Sequence, residues 1–356
     1  MIKNFLLITV FFLHMFSLKA DIRDLNKLRN DFIVETKKIE IPDFPEAFNP
    51  SIVRWNNKLL MCFRSYDPET HSTDSIWFVW LDDEFNPIGD PVVLNRTNEF
   101  ASNPLQAKDP RLIIVGNQLY VIYSNLYPFE EPVSRMYVGK VEIKEDGSFN
   151  TDSPAPLIFY EGEIRNRKEK NWVPFVFGDV LMLAYSIQPH HIVVPILNPK
   201  SSIFESEKTC CMTLANTIGS IKWDWGQLRG GTPALFVNGS YLAFFHSDKA
   251  MSTVQSEEVM MNHYFMGAYT FQAEYPFAIT GLSHYPIVHK SFYEGPMYKT
   301  WKPLRVVFPS GFIVEGDDIW LLYGRQDHEV WVAKIDKTKL LLSLKPVQKL
   351  IPKSNY

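Results

Sequence analysis

An all-β chain built as a five-bladed β-propeller with a short N-terminal helical arm is what the 356 residues predict, and three observations carry that expectation. A short phrase recurs five times: a polar residue or two, a proline, an apolar run, a Gly/Asn/Asp turn, then a second apolar run ending in small or polar residues. Its copies open at Asn49-Pro50, Asp109-Pro110, Asn171-Trp172-Val173-Pro174, Gly231-Thr232-Pro233 and Phe308-Pro309. The prolines therefore stand roughly 60 to 76 residues apart, room for a four-stranded blade with long loops. The runs themselves are β-branched or aromatic and are parted by dipeptides such as Asn56-Asn57, Gly116-Asn117, Gly178-Asp179 and Asn238-Gly239, a strong short-range signal of paired strands. Radial repetition carries equivalent positions of every blade to one axis, so the polar openings of the copies are expected to converge.

The elements follow in order. Lys3, the apolar run Phe5 to Leu18 and the small Ala20 are laid out as a secretory signal peptide. At about 14 residues the run is shorter than the ~20 needed to span a bilayer, with a short uncleaved anchor as the alternative. Residues 1–20 are assigned to this leader, the charged residues 21–45 to the helical arm, 46–345 to the propeller and 346–356 to a tail. Blade one takes Ser51 to Val53, Leu59 to Arg64 and Ser75 to Leu81. Blade two takes Arg111 to Val115, Leu119 to Ser124 and Arg135 to Ile143. Phe175 to Phe177, Val180 to Ser186 and His191 to Leu197 make the third. Ala234 to Val237, Tyr241 to His246 and Tyr264 to Phe271 make the fourth, and Phe312 to Val314, Ile319 to Tyr323 and Val330 to Ile335 the fifth.

Composition narrows the function classes. Hydrophobic residues at 46% and charged residues at 21% fit a globular chain rather than a disordered or polytopic membrane protein. A net charge of −4 argues against nucleic acid, which needs clustered Lys and Arg. An oligosaccharide or glycan is the expected partner, and a membrane only through an uncleaved leader. The leader places the chain in the secretory pathway, or outside the cell or in a periplasm, where Asn95-Arg96-Thr97 and Asn238-Gly239-Ser240 would be glycosylation acceptors on a eukaryotic route. Cys62, Cys210 and Cys211 make no paired framework and no zinc spacing, and no metal is expected.

Several strings together resemble a known family. They are Asp109-Pro110-Arg111, Glu169 to Phe175, Tyr185-Ser186 with Pro189-His190, Arg229 to Pro233, Phe308 to Gly311, and Tyr323-Gly324-Arg325-Gln326-Asp327. In this order, over a match from about residue 45 to 340, they resemble the β-mannoside phosphorylases and β-mannosidases of glycoside hydrolase family 130 and related propeller mannosyltransferases. The resemblance implies a five-bladed propeller with an axial pocket, a β-mannosyl-type substrate and no metal cofactor. It further implies that Asp109 is the proton donor, acting through a sugar hydroxyl, that Lys170 and His190 contact phosphate, and that Asp327 holds the non-reducing sugar. The chain departs from the pattern at Lys108, where Glu is usual, and around Tyr123-Ser124-Asn125, where an arginine is expected.

The residue types lead independently to glycosyl chemistry. Breaking or forming a glycosidic bond needs a proton donor for the leaving oxygen and a group that attacks or stabilises an oxocarbenium-like centre. Asp109 is the candidate for the first role. An activated water would need a second carboxylate, for which Glu169, Glu294 and Glu315 are candidates, whereas inorganic phosphate or a nucleotide-sugar as co-substrate would suit Lys170, His190, Arg229 and His246. Asn49, Arg64, Arg111, Asn171, Arg229, His246, Tyr323 and Asp327 complete the candidate substrate-binding set. Phosphorolysis, hydrolysis and transfer all remain open at this level, as does a glycan-binding propeller without chemistry.

Overall fold

The structure is a computed structural model that describes residues 22–65, 75–97, 107–127, 133–152, 155–157, 168–195, 211–298 and 304–348. The leader and Cys210 lie outside the described residues. The chain is all-β: its described helices are two short α-helices, α1 (Lys290–Tyr293) and α2 (Lys337–Ser343), and two single 3-10 turns at Leu25–Leu28 and Val254–Ser256.

Strand β1 (Ile33–Ile39) comes first in sequence but pairs last, antiparallel to the final long strand. After it, β2 (Ala47–Trp55), β3 (Lys58–Ser65), β4 (Ile76–Leu81) and β5 (Pro87–Thr97) form an antiparallel meander. The next comprises β6 (Lys108–Val115), β7 (Gln118–Tyr127), β8 (Val133–Ile143) and β9 (Phe149–Asp152), with β10 (Ala155–Leu157) also on β8; β5 and β9 pair in parallel and join the two. A third contains β11 (Val173–Phe177), β12 (Val180–Ser186), β13 (His190–Pro195) and β14 (Cys211–Thr217). In the fourth, β15 (Arg229–Gly230) and β16 (Leu235–Val237) share β17 (Ser240–Met251), followed by β18 (Met261–Gln272) and β19 (Ile279–Leu282). The last joins β21 (Val307–Glu315), β22 (Asp318–Arg325) and β23 (Glu329–Asp336) to β1, while the two-residue strands β20 (Leu304–Arg305) and β24 (Lys345–Pro346) add to β18 and β19.

Burial explains the order. Five large apolar clusters fill the spaces between successive meanders: Val53, Cys62 and Phe78 with Leu112 and Tyr123; Ile113 and Met136 with Trp172 and Leu183; Phe175 and Ile192 with Tyr241 and Phe271; Phe244 and Phe265 with Phe312 and Tyr323. The remaining cluster, Ile39, Ile52, Met61 and Phe63 with Ile313, Leu322 and Val332, lies between the last meander and the first. A sheet with two apolar faces must be covered on both, and each meander here is covered by its two neighbours. The first strands of all five line one apolar cavity of about 270 Å³, bordered by Ile52, Leu112, Val176, Pro233 and Phe312.

Two expectations change. Of the described residues 22–45 only Leu25–Leu28 turn helically; Ile33–Ile39 are extended, burying Ile33 and Ile39 while Glu35 and Lys37 stay outward. The exposed edge of β23 offers backbone hydrogen bonds that a charged segment can use as strand even without a clean apolar alternation. The third copy is also offset. Asn171 adopts φ 62, matching Asn49 at φ 49 and Asp109 at φ 53, so Trp172 stands where Pro50 and Pro110 stand and Pro174 lies two residues further in. Asn and Asp tolerate this left-handed conformation, which the first three copies share at their openings and the fourth and fifth do not.

Candidate functional site

The site is built on the slips in pairing where first strands begin. Between Phe48 and Ser51 on β2, and between Lys108 and Arg111 on β6, register with the second strand shifts. The left-handed residue at each slip turns its side chain out of the ladder. Asn49 Nδ2 then donates to Asp109 Oδ1 at 2.9 Å, and Arg64 from the end of β3 donates to the same oxygen at 2.7 Å. The Arg64 and Asp109 side chains are only 10% and 14% exposed. Gly324 on β22 is required here, since a Cβ there would fall 2.3 Å from Asn49 Oδ1.

Arg111 ties the same point to the next two copies. Buried to 1% exposure, its guanidinium donates to the Asp109 carbonyl at 2.9 Å, to Asn171 Oδ1 at 3.2 Å, and to the Gly231 and Gly230 carbonyls at 2.5 and 3.4 Å. Gly230 allows this approach: a Cβ on it would stand 2.1 Å from the Asn171 carbonyl oxygen. In the fourth meander Arg229 pairs in register with His246 and forms a 2.7 Å ion pair with Asp248, which itself lies opposite Tyr264. The Tyr264 ring stacks with His246 at 6.0 Å, and His246 also packs on Phe308.

The charges act on one another across this ring of residues. Burial would raise the Asp109 carboxyl, but the Arg64 and Arg111 guanidiniums, the Lys170 ammonium and the Asn49 hydrogen bond together hold it well below the ordinary carboxylate range. Asp327, left-handed at φ 52 in the turn after β22, behaves oppositely: burial pushes it up to about 6, with Arg64 and His328 opposing and the Asp109 charge adding to the rise. Burial lowers His246 to about 3, helped by Arg229 and Arg111, so its ring is neutral at physiological pH. Tyr264 is raised by burial and by the charges of Asp248 and Asp327. The fields that place these groups together come from four meanders and the Lys170 loop before β11.

The structure thus brings together Asn49, Arg64, Asp109, Arg111, Lys170, Asn171, Arg229, His246 and Asp327. It places His190 and Tyr323 elsewhere. The His190 ring is buried against Tyr269 and Phe271, its Nδ1 is 2.7 Å from the Phe277 carbonyl, and burial lowers it to about 4. Tyr323 is buried in the apolar cluster against Phe292, and burial raises its phenol. Among the candidate second carboxylates, Glu169 is buried and accepts from Tyr185 and Trp172, while Glu315 pairs with Arg54 at the far end of β21. Asp248 and Tyr264 escaped the sequence reading; their signal is position alone, one at the end of a second strand and one directly across from it. No group of His, Cys, Asp or Glu able to hold a metal ion occurs among the described residues.

No protein-family model and no curated protein matches the sequence. Solved structures do match the fold. A mannose phosphorylase from Leishmania mexicana in complex with a phosphate ion superposes with a TM-score of 0.60 over 92% of this chain and 94% of that one, at 13% identity. This chain shares its fold with mannoside phosphorylases. A β-1,2-mannobiose phosphorylase from Listeria innocua in complex with β-1,2-mannobiose gives 0.54 over 90% and 96% at 16% identity. A glycosyl hydrolase from Bacteroides ovatus gives 0.56 over 83% and 85% at 15% identity. The structure neighbours also include a member of the GH130 family of mannoside phosphorylases, a family described as containing hydrolases that target β-1,2 mannosidic linkages.

Proposed function

We propose that the five meanders are the blades of a five-bladed propeller and that the chain is a carbohydrate-active enzyme acting on a β-mannoside-type glycan where they converge. The observation that carries this reading is the environment of Asp109: a carboxylate gripped by Asn49 and Arg64, backed by Arg111 and faced by Lys170, with Asp327 near enough to feel its charge. Arg64, Arg111, Lys170 and Arg229 outnumber the three carboxylates Asp109, Asp248 and Asp327, and Asp327 carries only part of its charge near pH 6. Such a surplus suits an anionic co-substrate.

Phosphate is the co-substrate this reading favours. Bound beside Lys170 and Arg64, a dianion would neutralise the charges that hold Asp109 down and so bring its proton affinity up when the substrate is in place. In the step itself a phosphate oxygen forms a bond to the anomeric carbon as the glycosidic bond breaks. The departing oxygen takes the proton from Asp109, and the proton of hydrogen phosphate restores it. The products are a sugar 1-phosphate and a glycan shorter by one residue. Asn49, Asn171 and Asp327 supply donors and acceptors for sugar hydroxyls.

A second reading follows from the same carboxylate. Held ionised, Asp109 is a strong acceptor for two hydroxyls, which is what a glycan-binding propeller without turnover would use. Incubating the purified protein with β-mannosides, with and without phosphate, and with a nucleotide-sugar plus acceptor separates the cases. Phosphate-dependent sugar 1-phosphate supports the proposal. Phosphate-independent release of mannose indicates a hydrolase, release of nucleotide a transferase, and binding without products the second reading.

A further inference from the structure

We propose that Tyr298 is a positioning residue for Asp327, holding the turn that carries it through a ring stack on His328. The inference rests on the reading of Asp327 as a group that binds sugar hydroxyls. Asp327 sits in the turn Gln326-Asp327-His328 between β22 and β23, and Arg325 and Glu329 pair in register at its base. Gln326 and Asp327 are both left-handed, at φ 56 and φ 52, and neither is glycine. Two such residues in succession persist only where surrounding contacts over-determine them. A side chain that binds a sugar in turn needs its place fixed to within about 0.5 Å.

Three sets of contacts hold the turn. At its base Arg325 Nε donates to Glu329 Oε2, and His328 N donates to the Arg325 carbonyl at 3.1 Å. Gln326 is bonded twice to Val306: its N–H donates to the Val306 carbonyl at 2.9 Å, and its Oε1 accepts from Val306 N at 2.7 Å. The half-buried Tyr298 supplies the third set. Its ring lies parallel to the buried His328 ring, with 3° between planes and 4.3 Å between centroids, and its hydroxyl donates to Glu329 Oε1 at 2.8 Å. Burial and the Glu329 hydrogen bond push the Tyr298 phenol up to about 12, so it keeps its proton and donates. Burial opposes ionisation of Glu329, but hydrogen bonds from Arg325, Trp331 and Tyr298 hold it below its ordinary value. The segment that carries Tyr298 is itself tied down. Arg325 donates to the Ser291 carbonyl of α1 at 2.9 Å and Arg305 to the Gly295 carbonyl at 3.2 Å. Gly295 stands at φ 96, and a Cβ there would lie 3.0 Å from Arg325 Nη2. Tyr298 thus braces, from the segment after α1, the residue next to Asp327; the charges acting on Asp327 are those of Arg64, Asp109 and His328.

Tyr298→Ala and Tyr298→Phe in the full chain test this, with KM for β-1,2-mannobiose, KM for phosphate and a carboxyl-carbon NMR titration of Asp327 as readouts. Tyr298→Ala should raise the mannobiose KM about tenfold, the loss of roughly one well-placed hydrogen bond, and leave the phosphate KM unchanged. It should also lower the Asp327 midpoint from about 6 toward the ordinary carboxylate range as the loosened turn admits water. Tyr298→Phe keeps the ring on His328 and should retain both values. The proposal is overturned if Tyr298→Ala moves neither the mannobiose KM nor the midpoint, or if both variants lose equally. A uniform change in both KM values and kcat overturns it too, since that marks general loosening. If the unmodified protein turns nothing over, the proposed reaction fails and the midpoint alone decides: a fall confined to Tyr298→Ala supports the positioning role, and an unmoved midpoint overturns it. Should Tyr298→Ala not fold, Tyr298→Leu keeps the apolar volume without the stack and carries the same expectations.

Discussion

Replacing Asp109 by Asn isolates the charge at the centre of the candidate site, and the fold should survive it. The backbone at 109 is left-handed at φ 53, and the equivalent positions 49 and 171 already carry Asn in the same conformation. The amide oxygen can still accept from Asn49 and Arg64, so what disappears is the charge. Two unit charges about 4 Å apart attract by roughly 4 kcal/mol at an effective dielectric of ~20, and removing one partner of a fully buried pair costs about 3–5 kcal/mol. Here the side chains keep 10% and 14% exposure, both hydrogen bonds to the oxygen remain and Asp327 still balances Arg64. A loss of about 1–3 kcal/mol is therefore expected by guanidinium unfolding. Turnover should fall by about 10²–10⁴-fold, the usual contribution of a positioned acid. Asp327, no longer facing the Asp109 charge, should titrate below its value of about 6 in a carboxyl-carbon NMR titration. An unchanged rate would remove Asp109 from the chemistry, and an Asp327 titration that does not move would refute the electrostatic coupling.

Other perturbations follow from the same geometry. Because Asp327 holds its proton more tightly folded than unfolded, its contribution to stability falls as pH rises from about 4 to about 6; Asp327→Asn should remove this fall and gain on the order of 2 kcal/mol at pH 7 and nothing below pH 4, read from paired melting curves. Lys170→Ala should weaken phosphate binding by about 1.5–3 kcal/mol in calorimetry while neutral mannoside binding holds. His190→Leu should alter the melting temperature and leave phosphate affinity unchanged, since among the described residues the ring packs on Tyr269 and Phe271 and meets the Phe277 carbonyl; a loss of phosphate affinity would place His190 in the site. Gly230→Ala should cost about 1–3 kcal/mol or more in unfolding assays and lower turnover, as its Cβ would collide with the Asn171 backbone; a neutral outcome would show that the Arg111 cradle tolerates movement.

The chain's repeat was legible without coordinates because strand period, hairpin dipeptides and strand-opening polar residues are local features. They located the first two strands of every meander, and the expectation that the openings converge placed Asn49, Asp109, Asn171 and Arg229 in one candidate site. Local pattern misled in the third copy: Pro174 looked like the repeat's proline, yet the left-handed Asn171 is the structural equivalent of Asp109. Residues 33–39 looked helical in part because nothing in their own composition announces an edge 290 or more residues later in the chain that needs a strand.

Which charges meet could be decided only by the tertiary structure. Arg64, Asp109, Lys170, Arg229 and Asp327 are distant in sequence, and the low proton affinity of Asp109 against the raised one of Asp327 depends on how many cationic groups meet each carboxylate: Arg64, Arg111 and Lys170 outweigh desolvation at Asp109, while at Asp327 desolvation and the Asp109 charge outweigh Arg64 and His328. Likewise His190 and His246 are alike in sequence context, each ending a run of apolar residues or starting one. Packing sends one ring into the core between two meanders and the other beside Arg229 and Tyr264. Sequence fixes the strand-forming pattern because it is set by neighbours along the chain. The electrostatics of the site are set by neighbours across it.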